Sequence, residues 1–114
     1  MLRDETIAAF GERLREQQQE LKAELISAEE AAKPVDLGLP IGRISRMDAM
    51  QDQQMALART KRIEARMRAV AAALGRINAG TYGVCPRCED DIEIARLNAR
   101  PDLPLCRDCQ EEQG

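Results

Sequence analysis

Four cysteines, Cys85, Cys88, Cys106 and Cys109, stand as two Cys-x-x-Cys pairs separated by seventeen residues in "CPRCEDDIEIARLNARPDLPLCRDC". The chain of 114 residues holds no other cysteine and no histidine. Each pair can present two thiolates to one ion from a tight knuckle, and two knuckles complete the tetrahedral shell that zinc favours in closed structural sites. A catalytic zinc keeps one position open for water; four thiolates leave none. One structural Zn2+ held by Cys85, Cys88, Cys106 and Cys109 is therefore expected, with a thiol redox switch and an iron–sulfur site as the other readings of the same residues. Metal binding to such a module is itself folding energy.

No histidine or serine nucleophile arrangement, phosphate-cradling glycine loop or pair of acids in a pocket accompanies the cysteines, so the residues do not point to an enzyme. Residues 77–114 carry four arginines against eight acids, with Tyr82 as their one aromatic. Phosphate binding wants a basic surface and single-strand binding wants aromatic platforms, so direct sequence-specific DNA binding by this segment is not expected. No apolar run approaches the roughly 20 residues that span a bilayer, and the first residues lack the apolar core of a secretory signal. The cytoplasm is the expected location, and its reducing thiol pool favours metal ligation over structural disulfides.

The rest of the chain must position this module without much of a core, since Phe10 and Tyr82 are the only aromatic residues. Helix formers dominate to about residue 79. Ile7, Leu14, Leu21 and Ala28 recur every seven residues, with Phe10 and Leu25 beside them, which predicts a helix over residues 3–33 with one apolar stripe. Two prolines and two glycines in "KPVDLGLPIG" break it. Ser45, with Asp48 three residues on, resembles a capping arrangement and predicts a second helix starting near residue 45. Ile63, Met67, Val70, Leu74 and Ile77 form its seam, and Gly80 is placed to stop it.

The expected fold is mostly α, an antiparallel two-helix coiled-coil hairpin over residues 1–79 with its tip near 34–48, followed by a four-cysteine zinc-finger module over 80–114. Residues 1–36 hold five basic against nine acidic side chains, and residues 37–76 hold eight against three. This contrast favours charge pairing between the helices, with solvated faces as the equal alternative for any single pair; the basic band Arg59, Lys61, Arg62, Arg66 and Arg68 is open either to such pairing or to an acidic surface of a partner. About 30 helical residues make a rod of roughly 45 Å, too thin to enclose a substrate but able to carry its tip into a partner. Only "QEEQG" follows Cys109, which predicts no extended helix there.

In Tyr82, Gly83, Cys85, Cys88, Ile92, Arg96, Leu97, Ala99, Pro101, Cys106 and Cys109, the pattern "YGxCxxCxxxIxxxRLxAxPxxxxCxxC", the chain resembles the DksA/TraR family of four-cysteine zinc-finger transcription factors. The resemblance implies a monomeric, non-membrane regulator of the stringent-response type that binds RNA polymerase rather than DNA. It would insert the hairpin into the secondary channel and place an acidic tip near the catalytic centre. Aligning the family's D-x-x-D-x-A tip pattern on "ISRMDAMQ" makes Asp48 the tip acid, with Ser45 at the first acid and Met50 at the alanine. Ala49 lies beside Asp48, and Asp36 is a second candidate. Many members act with the alarmone ppGpp; Arg100 matches a family arginine implicated in that contact, whereas Gln110 and Ala69 stand where basic residues are common. Glu89 replaces a glycine usual after the second cysteine, so a different local turn is expected. Two readings from other classes remain: a zinc-stapled adaptor that dimerises along the Ile63–Ile77 seam, and a thiol redox sensor.

Overall fold

The computed structural model describes residues 2–33 and 43–113, without the side chains of residues 43–46. Asp36 lies outside the described residues. Four helices follow in order: α1 (Asp4–Ala31), α2 (Arg43–Ala79), α3 (Ile94–Ala99) and α4 (Arg107–Gln113). The molecule measures 63 × 29 × 20 Å, the shape of a rod with a head at one end.

The rod is the α1–α2 hairpin, and the seven-residue stripe builds it. Leu14, Leu21 and Ala28 of α1 are buried with Phe10, opposite Ile63, Val70 and Ala73 of α2. Ile7, Leu25, Met67, Leu74 and Ile77 are partly buried against this seam. Ala73 and Thr60 are seam residues that the apolar spacing did not single out. Thr60 is tolerated there because its hydroxyl donates to the Ala56 carbonyl one turn back, at 3.0 Å.

Among the described residues, charge pairing does not join the two helices: no ion pair links α1 to α2. Of the basic band, only Arg66 has an ionic partner among the described residues, and that partner is Asp102 of the cysteine module. Exposed side chains gain little from holding one another in high dielectric, so burial along the seam holds the hairpin and the charge contrast remains on its surface.

The two ends of α2 differ. At its C-terminus Gly80 adopts φ 78°, its N–H donates to the Ile77 carbonyl, and the Thr81 N–H donates to that of Arg76. This is the stop that glycine was expected to supply, with both hydrogen bonds of a Schellman motif. At its N-terminus the helix has already begun at Arg43. Ser45 is therefore inside the helix and is not its cap, and Asp48 is the sixth helical residue, beyond the first turn.

The side-chain amide of Gln53 donates to the Ala32 carbonyl at 3.3 Å, closing the last turn of α1 against the side of α2. Because α2 starts ten residues before Gln53, its first turns reach past the end of α1. Asp48, Met47 and Met50 are exposed in that overhang, while Ala49 is half-buried.

Candidate metal centre and its seat on the rod

After Thr81 the chain turns at Gly83 (φ 87°) into the first knuckle. A β-carbon on Gly83 would stand 2.8 Å from the Leu2 side chain, so both the backbone angle and the close approach of the N-terminal segment call for glycine. The knuckle is a short antiparallel turn: the Cys85 N–H donates to the Asp90 carbonyl, the Glu89 N–H to the Cys85 carbonyl, and the Ile92 N–H to the Gly83 carbonyl, each at 2.8 Å. Val84 and Asp91 pair across it.

Glu89 has φ 65°. The turn expected to change with the loss of glycine is therefore kept, and a glutamate occupies the left-handed conformation at a cost of about 1 kcal/mol. Glu89→Gly should relieve it, raising zinc affinity about fivefold in a chelator competition, since the turn forms only when the site does. An unchanged affinity would show that the conformation costs nothing here.

The second pair sits at the start of α4: Cys106 precedes the helix, Cys109 lies in its first turn, and the Gln110 N–H donates to the Cys106 carbonyl at 3.0 Å. Arg87 ties the knuckles together, donating to the Cys109 carbonyl at 3.4 Å and approaching Glu112 at 3.6 Å. All four sulfurs lie within 4.8 Å of one another, and Cys88 Sγ is 3.6 Å from Cys106 Sγ. Four sulfurs about 2.3 Å from one zinc stand about 3.8 Å apart, and the four thiols are free.

The local electrostatics also fit a cation. Backbone N–H donors, that of Cys106 foremost, hold the Cys85 thiol down to about 6 against the opposing effect of burial. Burial and the neighbouring sulfurs push Cys109 up. At Cys88 the Asp90 N–H favours the thiolate, but burial and the sulfurs of Cys106 and Cys85 outweigh it, and the net shift is upward. Cys85 thus loses its proton readily, whereas Cys88 and Cys109 resist losing theirs; a bound divalent cation would remove that resistance.

The module is seated on the base of the rod. Tyr82, 6% exposed, packs its ring against Phe10 of α1 with centroids 5.7 Å apart, and its hydroxyl donates to the Pro101 carbonyl at 2.8 Å. Burial raises the Tyr82 hydroxyl to about 12 although Arg76 and Arg13 oppose the shift. Arg13 of α1 lies over the Phe10 ring and donates to the Asn98 carbonyl at 3.0 Å. Ile92 and Leu97 complete the packing, and Arg96 stays within the module, donating to the Leu105 carbonyl at 3.1 Å.

The structure thus brings the four cysteines together and places Asp48 and Ala49 at the far end of the rod. Arg100, half-exposed on the module, donates to the carboxylate of Asp102 at 3.1 Å. Sequence reasoning missed Asp102. An acid between a proline and a leucine in an acidic segment gives no signal of burial, yet this carboxylate is 1% exposed and meets Arg66 of α2 at 3.0 Å. The last helix, α4, begins before Cys109, at Arg107.

Residues 80–113 match the family described as the prokaryotic dksA/traR C4-type zinc finger. Over 64 residues the chain is 34% identical to the RNA polymerase-binding transcription factor DksA of Haemophilus influenzae, covering 54% of this chain and 44% of that protein. Over 48 residues it is 44% identical to an Aquifex aeolicus protein of unassigned function, covering 42% of this chain and 33% of that one. The matched segments therefore span less than half the length of both relatives. The solved structure of transcription factor DksA2 from Pseudomonas aeruginosa superimposes with a TM-score of 0.82 at 26% identity, covering 96% of this chain and 84% of DksA2. The module is a C4 zinc finger able to hold one metal ion, carried on a DksA-like hairpin.

Proposed function

We propose that this chain, which fits the DksA/TraR family, is a non-enzymatic transcription regulator that binds RNA polymerase and reaches into its secondary channel with the tip of the hairpin. The observation that carries this reading is the division of labour along the rod. The zinc finger is bolted to one end, whereas the other end extends α2 beyond α1 and exposes Asp48 with Met47 and Met50. A carboxylate on a thin helical projection can approach a catalytic centre that a globular domain could not enter. Methionine suits such a surface, because its flexible thioether adapts to irregular contacts.

The finger's acidic balance supports a protein partner over DNA. In this reading the finger acts as the base that aims the rod, and a monomer suffices. Alarmone assistance through Arg100 would have to draw that guanidinium partly away from Asp102. Competition between this protein and another occupant of the secondary channel, on purified polymerase, tests the proposal.

A further inference from the structure

We infer that Asp102 is the positioning residue that fixes the zinc finger's orientation on the rod through Arg66, so that metal occupancy and rod direction are coupled. The coupling is a property of the free protein and does not rest on the polymerase reading.

Asp102 Oδ2 is shared by two guanidinium groups from different parts of the molecule, Arg66 Nε of α2 at 3.0 Å and Arg100 Nη2 of the finger at 3.1 Å. A third cation stands close enough to feel it. Arg76 of α2 has its pKa lowered by burial, an effect that Tyr82 and Asp102 oppose. Arg66 Nε, Arg76 Nη2 and Asp102 Oδ1 are all buried and have no hydrogen-bond partner among the described residues, so Arg66 meets Asp102 through charge at short range and not through an aligned hydrogen bond. A buried carboxylate with one oxygen unpaired is costly unless its charge is compensated. Here the compensation comes chiefly from α2, so the finger keeps this carboxylate buried at low cost only while it is docked.

The segment around Asp102 is also where the rod grips the finger. Arg13 of α1 donates to the Asn98 carbonyl and Arg66 of α2 pairs with Asp102 itself, while Tyr82 braces the same run from within the finger by donating to the Pro101 carbonyl. Both rod helices thus reach the same short run, residues 98–102. A polar crevice of about 180 Å³, lined by Arg13, Glu16, Gln17, Glu20, Arg66, Ala99 and Pro101, runs along this contact.

That run lies inside the seventeen-residue loop between Cys88 and Cys106, which a metal bound by both pairs closes into a ring. Closure orders the loop and presents Asp102 to Arg66. By linkage, the factor by which bound metal strengthens docking is also the factor by which docking strengthens metal binding, so losing the dock costs metal affinity up to that factor.

The test uses the full zinc-loaded chain with Arg66→Gln, Asp102→Asn and, as a control, Arg59→Gln, whose side chain is exposed on the same helix and has no ionic partner among the described residues. Residual dipolar couplings of backbone amides report whether rod and finger share one alignment frame, and chelator competition reports zinc affinity. Wild type and Arg59→Gln should show one frame and equal affinity. Arg66→Gln and Asp102→Asn should show two frames and an affinity about tenfold lower. Arg66→Gln decides the matter even if Asp102→Asn fails to fold. A single frame with wild-type affinity in Arg66→Gln would mean that the carboxylate serves only Arg100 within the finger. Two frames with unchanged affinity would overturn the coupling to the metal.

Discussion

Replacing Cys109 by serine is expected to lower zinc affinity by well over about 100-fold, because it removes a metal ligand itself, and loss of even an outer-shell partner weakens such sites by 10–100-fold. The consequence should be structural. Residues 80–113 hold themselves together through short hydrogen-bonded turns, two helices of six and seven residues, and a small cluster around Cys85, Leu97, Leu105 and Cys109. Helices that short do not persist in isolation, and structural zinc modules draw their folding energy from the metal. Amide hydrogen exchange should show the finger unprotected in Cys109→Ser, and in the wild type after chelation. The middle of the hairpin, where Leu21, Ala28 and Ile63 pack without the finger, should stay protected. A metal-free finger with intact protection would show that its own packing suffices.

The second large effect is expected at the other end of the molecule. Asp48→Asn should abolish the effect on transcription while leaving the protein folded and bound to polymerase. Asp48 is exposed and has no ion pair among the described residues. As the sixth residue of α2 it also lies past the first turn, where interaction with the helix dipole fades. A surface substitution of this kind changes stability by no more than about 0.5 kcal/mol. Any loss of activity therefore reports on the carboxylate and not on the fold. Asp52→Asn, at an exposed acid one turn further along α2, should retain the effect in the same promoter assay. Full activity in Asp48→Asn, or equal loss in both variants, would count against Asp48 as the tip acid.

The four-cysteine cluster and the hairpin were legible in the sequence because both are written in spacing. Two Cys-x-x-Cys pairs constrain which atoms can meet, and the series Leu14, Leu21, Ala28 places its residues on one side of a helix whatever surrounds them. The turn at Gly80 was legible for a similar local reason. What escaped depends on contacts between distant segments. Composition suggested that the acidic and basic helices pair, but side-chain reach and solvent screening decide that, and the ion pair that forms joins Arg66 to Asp102 instead. Local preference misled at Glu89, where the hydrogen bonds of the knuckle impose a left-handed conformation on a residue that disfavours it. It misled again at Ser45, since helix α2 begins two residues earlier.

The location of Asp102 shows why a buried charge is hard to foresee. Nothing in "RPDLP" distinguishes it from the exposed acids Asp90 and Asp108. Its burial follows from where Arg66 and Tyr82 stand once the finger is docked, a property of the tertiary arrangement alone.

The most direct test of the central claim is binding of the zinc-loaded protein to purified RNA polymerase at low salt, with and without a long-rod protein known to occupy the secondary channel. Saturable binding displaced in full by that competitor, and shared by Asp48→Asn, is the predicted result. Absence of binding, or binding that the competitor leaves untouched, would contradict channel entry and leave a zinc-stapled coiled coil that acts as an adaptor for another partner.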